Sequence, residues 1–528
     1  MSQNHRIVSF LFMLCSSVSG QSIKPDLQVN SIPDNVKGIE QTMIAAGPNG
    51  TFAVAWQDYN DYNIPVAEQP RIAVRMFSAT GDPIGPVNLF RGESRSLSSY
   101  SSDFLTDNFD VAVLSDGSVL VGVQHEGWLS LLGVDDIYSA EVGIGAISAK
   151  GEIIDANKTN GVILWTGPTS IKNRYRPNFA VAPNGGFLFA TDGPTYETNK
   201  YAVAIQAFDS NGDFVGDYFF PHFDDPRPLT HHWRSKLATN GTIHVAVWQT
   251  DGRDKNDDVV VQFLNNNVAV GKNMLVNSGD AVGVQNIWPD VAINGAGQVV
   301  VTWADTRERS GGDVYGQRYS SGGVALGGNF KISAGQGEIW DAPEVAILDN
   351  GNFMVVWTDS IGVDVFKARG RQFDAAGNPA GGIFIIPEYT GNSGWASIAT
   401  DGKSYYCSWA DDRPNAGFVN VYAKKIEHQF FVGVDENPVV VQEFGITANY
   451  PNPFNPATTL RYNIAKKGHI RLSIFDVNGR EIEVLFDGVK AAGKYQTQFD
   501  GSALSSGVYF AKLQGAEQVS TRKLTLLK

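Results

Sequence analysis

Short apolar or alternating runs, each bounded by glycine, asparagine or aspartate, recur along most of this 528-residue chain. Such runs predict short strands joined by tight turns. Two stretches align closely: Pro289–Ile293, Gly297 and Val299–Trp303 match Glu344–Ile347, Gly351 and Phe353–Trp357. Both continue into an alternating strand, Asp313–Tyr319 and Ala368–Phe373. A glycine-rich turn and a last short strand follow, Asn329–Ile332 and Ile383–Ile386. The unit is therefore four strands. The end of its second strand recurs at Trp56, Val123, Thr191, Trp248, Trp303, Trp357 and Trp409, spaced by 67, 68, 57, 55, 54 and 52 residues.

A single four-stranded sheet cannot bury both of its faces, whereas sheets stacked radially cover one another. The pattern predicts an all-β fold, a seven-bladed β-propeller, with six or eight blades as alternatives because the second and third units match least well. The seventh unit supplies three strands, near Ser397–Ala399, Tyr405–Trp409 and Val419–Ile426, and then loses the pattern. Its missing strand is expected at the other end of the chain, where Asp26–Ser31 matches the fourth strand Asn273–Ser278 of blade four. Residues 21–430 are thus read as a propeller locked by its own N-terminal segment.

The pattern stops near Phe430, and an acidic, Val-rich linker covers 431–446. Beyond it, Tyr450-Pro451-Asn452-Pro453-Phe454-Asn455-Pro456 reads as an extended lead-in, since proline cannot sit in a central strand. Alternating runs follow at Thr459–Asn463, His469–Asp476, Glu481–Phe486, Gly493–Phe499, Gly507–Leu513 and Thr521–Leu527, with Asn478-Gly479 as a tight-turn signal. They predict a small Ig-like β-sandwich over 447–528. This segment resembles the type A C-terminal sorting domain of the type IX secretion system. The proline-rich opening, Phe475-Asp476-Val477-Asn478-Gly479-Arg480, Leu504-Ser505-Ser506-Gly507-Val508-Tyr509 and the basic close at Lys528 carry the resemblance. It implies handling by an outer-membrane translocon and a secreted or surface-held product of a Gram-negative bacterium. A sorting domain gives an address and no biochemistry.

The N-terminus agrees with export: His5 and Arg6, an apolar Ile7–Leu14 and the small residues Val18–Gly20 read as a signal peptide over 1–20. No apolar run is long enough to span a bilayer. After cleavage one thiol remains, Cys407 in an apolar run, expected as a core filler. The net charge is −14; the tail from Thr447 carries 11 Lys and Arg against six Asp and Glu, the leader adds Arg6, and residues 21–446 are left with −20. That balance argues against nucleic acid as a partner. It favours neutral glycans, cations or basic surfaces over anionic polymers.

Aligning the blades puts one residue at the start of each innermost strand: Met43, Asp110, Asn178, Lys236, Asp290, Glu344 and Ser397. Asp110, Asp290 and Glu344 are the candidates for catalysis, or for holding a structural cation such as calcium. The competing reading, favoured by the mixed charge of the ring, has these residues capping neighbouring amides. Aromatics recur shortly before the same strand, at Phe109, Trp233, Trp288, Trp340 and Trp395. Indoles there suit sugar stacking, and blade packing would call for the same recurrence. His231 and His232 break the repeat, with His222 nearby, but no third ligand stands at motif spacing, so no metal site and no cofactor are assigned. The ligand-binding set expected from sequence is therefore Trp233, Trp288, Trp340, Trp395, His231 and His232. Four insertions, Gln57–Pro70, Arg91–Asp107, His125–Tyr138 and Asn157–Arg176, are expected as irregular recognition loops. They carry Tyr59, Tyr62, Tyr100, Trp128, Trp165 and Tyr175. No Walker loop, HExxH motif, nucleophile elbow or Rossmann fingerprint is present. The reading is a monomeric surface or secreted protein that binds an extracellular glycan or protein. A glycan-active hydrolase or lyase is the alternative, and a structural adhesion protein the third.

Overall fold

Six four-stranded antiparallel sheets and one of five strands, whose innermost position is split between Glu338–Ile339 and Glu344–Ile347, carry the N-terminal part of the molecule, and their innermost strands follow one another in a closed cycle. The computed structural model describes residues 26–30, 41–58, 71–90, 100–129, 137–154, 162–164, 175–195, 200–221, 231–251, 257–278, 284–334, 337–362, 365–413, 420–428, 444–450, 452–464, 468–490, 493–515 and 518–527. The signal segment, the 431–443 part of the linker, His222, Tyr59, Tyr62 and Trp165 lie outside the described residues. Innermost strands are Thr42–Ala46, Tyr100–Val113, Tyr175–Val181, His232–Thr239, Asn286–Ile293, Glu344–Ile347 and Ser393–Thr400. They line a narrow axial channel with small or branched apolar side chains, among them Ile44, Val111, Ala180, Ala238, Ala292, Ala346 and Ile398. The fold is a β-propeller.

The recurrent second-strand position explains why the sheets stack. Trp248, Trp303, Trp357 and Trp409 are all fully buried, and each packs with the sheet that precedes its own. Trp56 packs in the same way against blade seven, beside Tyr406 and Ala410. Truncating one such indole to alanine would cost ~3–5 kcal/mol. The first-to-second-strand turn has one requirement in every blade, a backbone with positive φ. Glycine meets it at Gly50, Gly117, Gly185, Gly241, Gly297, Gly351 and Gly402.

Blade seven is completed from the other end of the chain. Leu27–Gln28 forms its outermost strand, with Leu27 opposite Ala423 and Gln28 opposite Tyr422. The described parts of two expected loops, residues 100–107 and 125–129 with 137–138, are strand. In blade two the strands Tyr100–Val113, Val119–Leu129 and Ile137–Ile147 extend into a ribbon, pairing Tyr100 with Leu129 and Trp128 with Tyr138. Backbone pairing claims these segments because each strand of a ribbon satisfies the amides of its neighbour.

The described residues divide into two compact units at Phe430 and Phe431. The second unit has a three-stranded sheet, Gly445–Tyr450, Ala457–Ile464 and Gly493–Asp500. Its four-stranded sheet holds Glu481–Lys490, Gly468–Asp476, Gly507–Gln514 and Val519–Leu526. Leu460, Tyr462, Ile470, Leu472, Phe499, Leu513 and Leu524 are buried together in one core shared by the sheets, making a β-sandwich. The Asn478-Gly479 turn is held by Asp476, whose Oδ1 accepts from the amides of Asn478 at 2.9 Å and Arg480 at 3.0 Å. No helix among the described residues is long and apolar enough to cross a membrane.

Candidate ligand site at the channel mouth

Every innermost strand enters the channel at the same register. Met43, Asp110, Asn178, Lys236, Asp290, Glu344 and Ser397 pair with Ala55, Gly122, Ala190, Val247, Thr302, Val356 and Ser408. Each of those partners immediately precedes the recurrent core position. The seven residues therefore form a ring at one mouth, and the ring is a hydrogen-bond circuit. Asp110 Oδ2 accepts from the Phe179 amide at 2.6 Å and from Asn178 Nδ2 at 3.0 Å. Asn178 Oδ1 accepts from the Leu237 amide at 2.7 Å, and Asp290 Oδ2 from Val345 at 2.8 Å. Glu344 Oε2 accepts from the Ile398 amide at 3.0 Å and Ser397 Oγ at 2.8 Å. Ser397 Oγ in turn accepts from the Ile44 amide at 3.2 Å.

In each step the donor is the amide just after the ring residue of the next blade. Met43 and Lys236 cannot accept, so the amides of Val111 and Val291 would be orphaned. Each of these amides instead lies beside the carboxyl of its own predecessor, Asp110 or Asp290, and acts to lower it. A carboxylate, with two oxygens, can serve its own amide and the next blade's together. The aspartates stand where the circuit would otherwise break.

Burial pushes the carboxyls of Asp110, Asp290 and Glu344 upward, and the Lys236 charge only partly offsets it. Glu344 is raised from 4.5 to about 7, with Asp290 adding to the rise. Burial alone would lower the Lys236 ammonium, but Asp110, Asp290, Glu344 and Asp341 outweigh it and hold the lysine above its ordinary value. Lys236, Asp290 and Glu344 keep some accessible surface, and Lys236 and Glu344 line a cavity at the mouth.

Two residues ahead of the ring lies a feature that the sequence reading missed. Arg176, Arg234, Trp288 and Trp395 have φ of 51°, 53°, 57° and 52°, a left-handed conformation that large side chains rarely adopt. All four sit in a bulge of the innermost strand, where pairing skips between Tyr175 and Asn178, Trp233 and Lys236, Ile287 and Asp290, and Gly394 and Ser397. The preceding blade holds each bulge with the side chain just after its core position. Gln124 Oε1 accepts from the Arg176 amide at 2.8 Å, Asp192 Oδ2 from Arg234 at 2.6 Å and Gln249 Oε1 from Trp288 at 3.3 Å. In blade seven Thr358 Oγ1 takes the Ala396 amide at 3.4 Å. Asp192 is fully buried and also binds Arg176 Nη1 at 2.5 Å, yet burial still raises its carboxyl. The signal was available in sequence, since Gln124, Asp192, Gln249 and Thr358 share one offset.

The bulges frame a cavity of about 130 Å³ above the ring, lined by Arg234, Ser235, Lys236, Trp288, Asp341 and Glu344 among others. Arg234 is exposed, with its guanidinium carbon 6.0 Å from the Trp288 ring centre. The other expected site residues scatter. Trp233 is one position out of register with Trp288 and Trp395; it meets His231 edge-on at 6.0 Å. Trp340 is 53% exposed and packs on Phe366 at 4.9 Å. Trp395 packs with the blade-one cluster, its carbonyl accepting from Thr42 Oγ1 at 2.7 Å. Phe109 is core.

The two histidines diverge. The His231 amide donates to Asp251 at 2.5 Å and its Nε2 lies 3.1 Å from Lys200 Nζ. His232 is buried, and its Nδ1 accepts from Trp248 Nε1 at 3.1 Å. Among the described residues no group of three or more His, Cys, Asp or Glu is placed to hold a metal ion. Cys407 is buried, its thiol pushed up by that burial.

No curated protein matches the chain. Among solved structures, the chain is similar to a protein of unknown function from Dyadobacter fermentans, 11% identical with a TM-score of 0.43, over 78% of this chain and 100% of that one. It is similar to the polysaccharide lyase Uly1, 7% identical with a TM-score of 0.44, over 78% of this chain and 94% of that one. A third is an α-L-arabinanase of Penicillium chrysogenum, 14% identical with a TM-score of 0.37, over 76% of this chain and 98% of that one. Residues 448–526 match the secretion system C-terminal sorting domain. The chain is a type IX secretion cargo, delivered to the cell surface or the extracellular space of a Gram-negative bacterium.

Proposed function

We propose that the propeller is a binding module for an extracellular glycan, held at the channel mouth by Arg234, Lys236 and Trp288. The observation that carries this reading is the run of left-handed bulges. A left-handed conformation costs a non-glycine residue roughly 1–2 kcal/mol, and glycine would remove that strain. Large side chains kept there, facing a cavity, are where stored strain points to function. The ring carboxylates support binding over catalysis, because each is already tied to backbone amides. A hydrolase or lyase remains the second reading, favoured by Glu344, whose carboxyl near neutrality suits proton transfer. A glycan-array screen of the exported protein, with product analysis on every hit, separates the two.

The variant pair Arg234→Gly and Arg234→Ala tests the bulge. Both should lose the ligand. The glycine variant should unfold ~1 kcal/mol later than the alanine variant, since only glycine is unstrained there. Unchanged glycan binding in both variants would reject the proposal.

A further inference from the structure

The polar inventory of the mouth cavity names the kind of sugar it suits, an inference that rests on the glycan-binding reading above. Three donors on consecutive residues face the cavity. The Arg234 guanidinium overlies Trp288 and makes no hydrogen bond or ion pair among the described residues. Ser235 is 3% exposed, and its Oγ has no hydrogen-bond partner there. The Lys236 ammonium makes neither a hydrogen bond nor an ion pair, although carboxylates stand around it. Two carboxylates line the same space. Asp341 uses Oδ1 for the Ala342 amide at 2.8 Å, and Glu344 uses Oε2 for blade seven. Each carboxylate has a second oxygen.

A group that completes this cavity has to accept from Arg234, Ser235 and Lys236 and donate to Asp341 or Glu344. A carboxylate or sulfate only accepts, and it would meet the charges of Asp110, Asp290, Asp341 and Glu344 against those of Arg234 and Lys236. An ammonium only donates, leaving three donors unmatched. Adjacent hydroxyls of a sugar do both at the required spacing, and they replace separate waters with one linked pair. An indole beside them offers the apolar face that a pyranose ring packs against. We infer that the mouth takes an uncharged saccharide unit, with neighbouring hydroxyls bridging Arg234, Ser235 and Lys236 to Asp341 and Glu344.

Calorimetric titration of the full exported chain tests this. The probes are neutral malto-, xylo- and manno-oligosaccharides set against oligogalacturonate and a sulfated oligosaccharide. Binding is expected in the neutral group. It should weaken about tenfold or more in both Ser235→Ala and Arg234→Gln, with unfolding midpoints kept. Binding confined to the acidic probes, and lost in Trp288→Ala, would overturn this inference and leave the glycan reading standing. Neutral binding indifferent to both substitutions would overturn it as well. Failure of every probe of either class would overturn both.

Discussion

Glu344 shows how much one ring side chain does. Its Oε2 caps the Ile398 amide and receives the Ser397 hydroxyl, and burial raises its carboxyl from 4.5 to about 7. Between those two values the folded protein holds a proton that the unfolded chain has released. Stability therefore falls as pH rises from 4.5 through 7, the reverse of a salt-bridged carboxylate. The contribution is of the order of 3 kcal/mol. Glu344→Gln should flatten this decline, because an amide oxygen still accepts from Ile398 and Ser397. All 11 tryptophans precede the tail, so urea unfolding followed by tryptophan fluorescence reports the propeller alone. A pH slope unchanged in the glutamine variant would exclude this role. The ring was legible in sequence because its seven positions share one register with the buried core position. The reason for its composition was not legible. That Asp110 and Asp290 follow the non-acceptors Met43 and Lys236 matters only once the blades are neighbours.

At the scale of the strand, a bulge decides which aromatics reach the mouth. Trp233 and Trp288 look equivalent in sequence, but the extra residue in each innermost strand gives the mouth position to Arg234 and Trp288. One residue of slip turns a side chain to the other face, so an alignment loose by one position misassigns it. The corner after the core tryptophan is tied down by the aspartate two positions on. Asp305 accepts from the Arg307 amide at 2.8 Å and pairs with its guanidinium, and Asp411 binds Arg413 in the same way. The added element is the indole: Trp303, Trp357 and Trp409 donate Nε1–H to Asp305, Asp359 and Asp411 at 2.9, 2.7 and 2.9 Å. Asp411→Ala would leave a buried indole N–H without its acceptor and Arg413 with Asp26 as its one remaining carboxylate partner among the described residues. The expected loss is ~2–4 kcal/mol in urea unfolding, with Asp411→Asn intermediate. A loss below ~0.5 kcal/mol would mean that the corner is only a solvated turn.

Over the whole molecule, closure of the ring depends on five described residues far from the blade they complete. The match between Asp26–Ser31 and Asn273–Ser278 made this visible in sequence, since a fourth strand carries the same side-chain pattern wherever it lies in the chain. The clasp itself was not visible. Asp26 accepts from Arg413 Nη2 at 2.6 Å and Lys424 Nζ at 3.1 Å, and its Oδ2 also takes the Glu388 amide at 3.1 Å. Blade five holds the corresponding arginine with a neutral group, Arg307 Nη2 to Asn329 Oδ1 at 3.3 Å. There the fourth strand is joined to its own blade by a short turn. In blade seven nearly the whole propeller intervenes, and bringing distant ends together costs more chain entropy as the loop grows. An ionic clasp on a side chain that is 4% exposed supplies attraction where no short turn helps. Arg75 Nη1 extends the lock into blade one, donating to the Val29 carbonyl at 2.6 Å. Asp26→Ala should therefore open the seam locally before it unfolds the disc. Hydrogen exchange should accelerate in Ser404–Asp411 and Thr42–Ala46, while Ile243–Asp251 and Val299–Asp305 keep their protection. Asp26→Asn, which restores the neutral pairing of blade five, should fall between the variant and the parent. Equal acceleration in all blades would show that closure is no weaker at the seam than elsewhere, and that Asp26 is one ordinary buried ion pair.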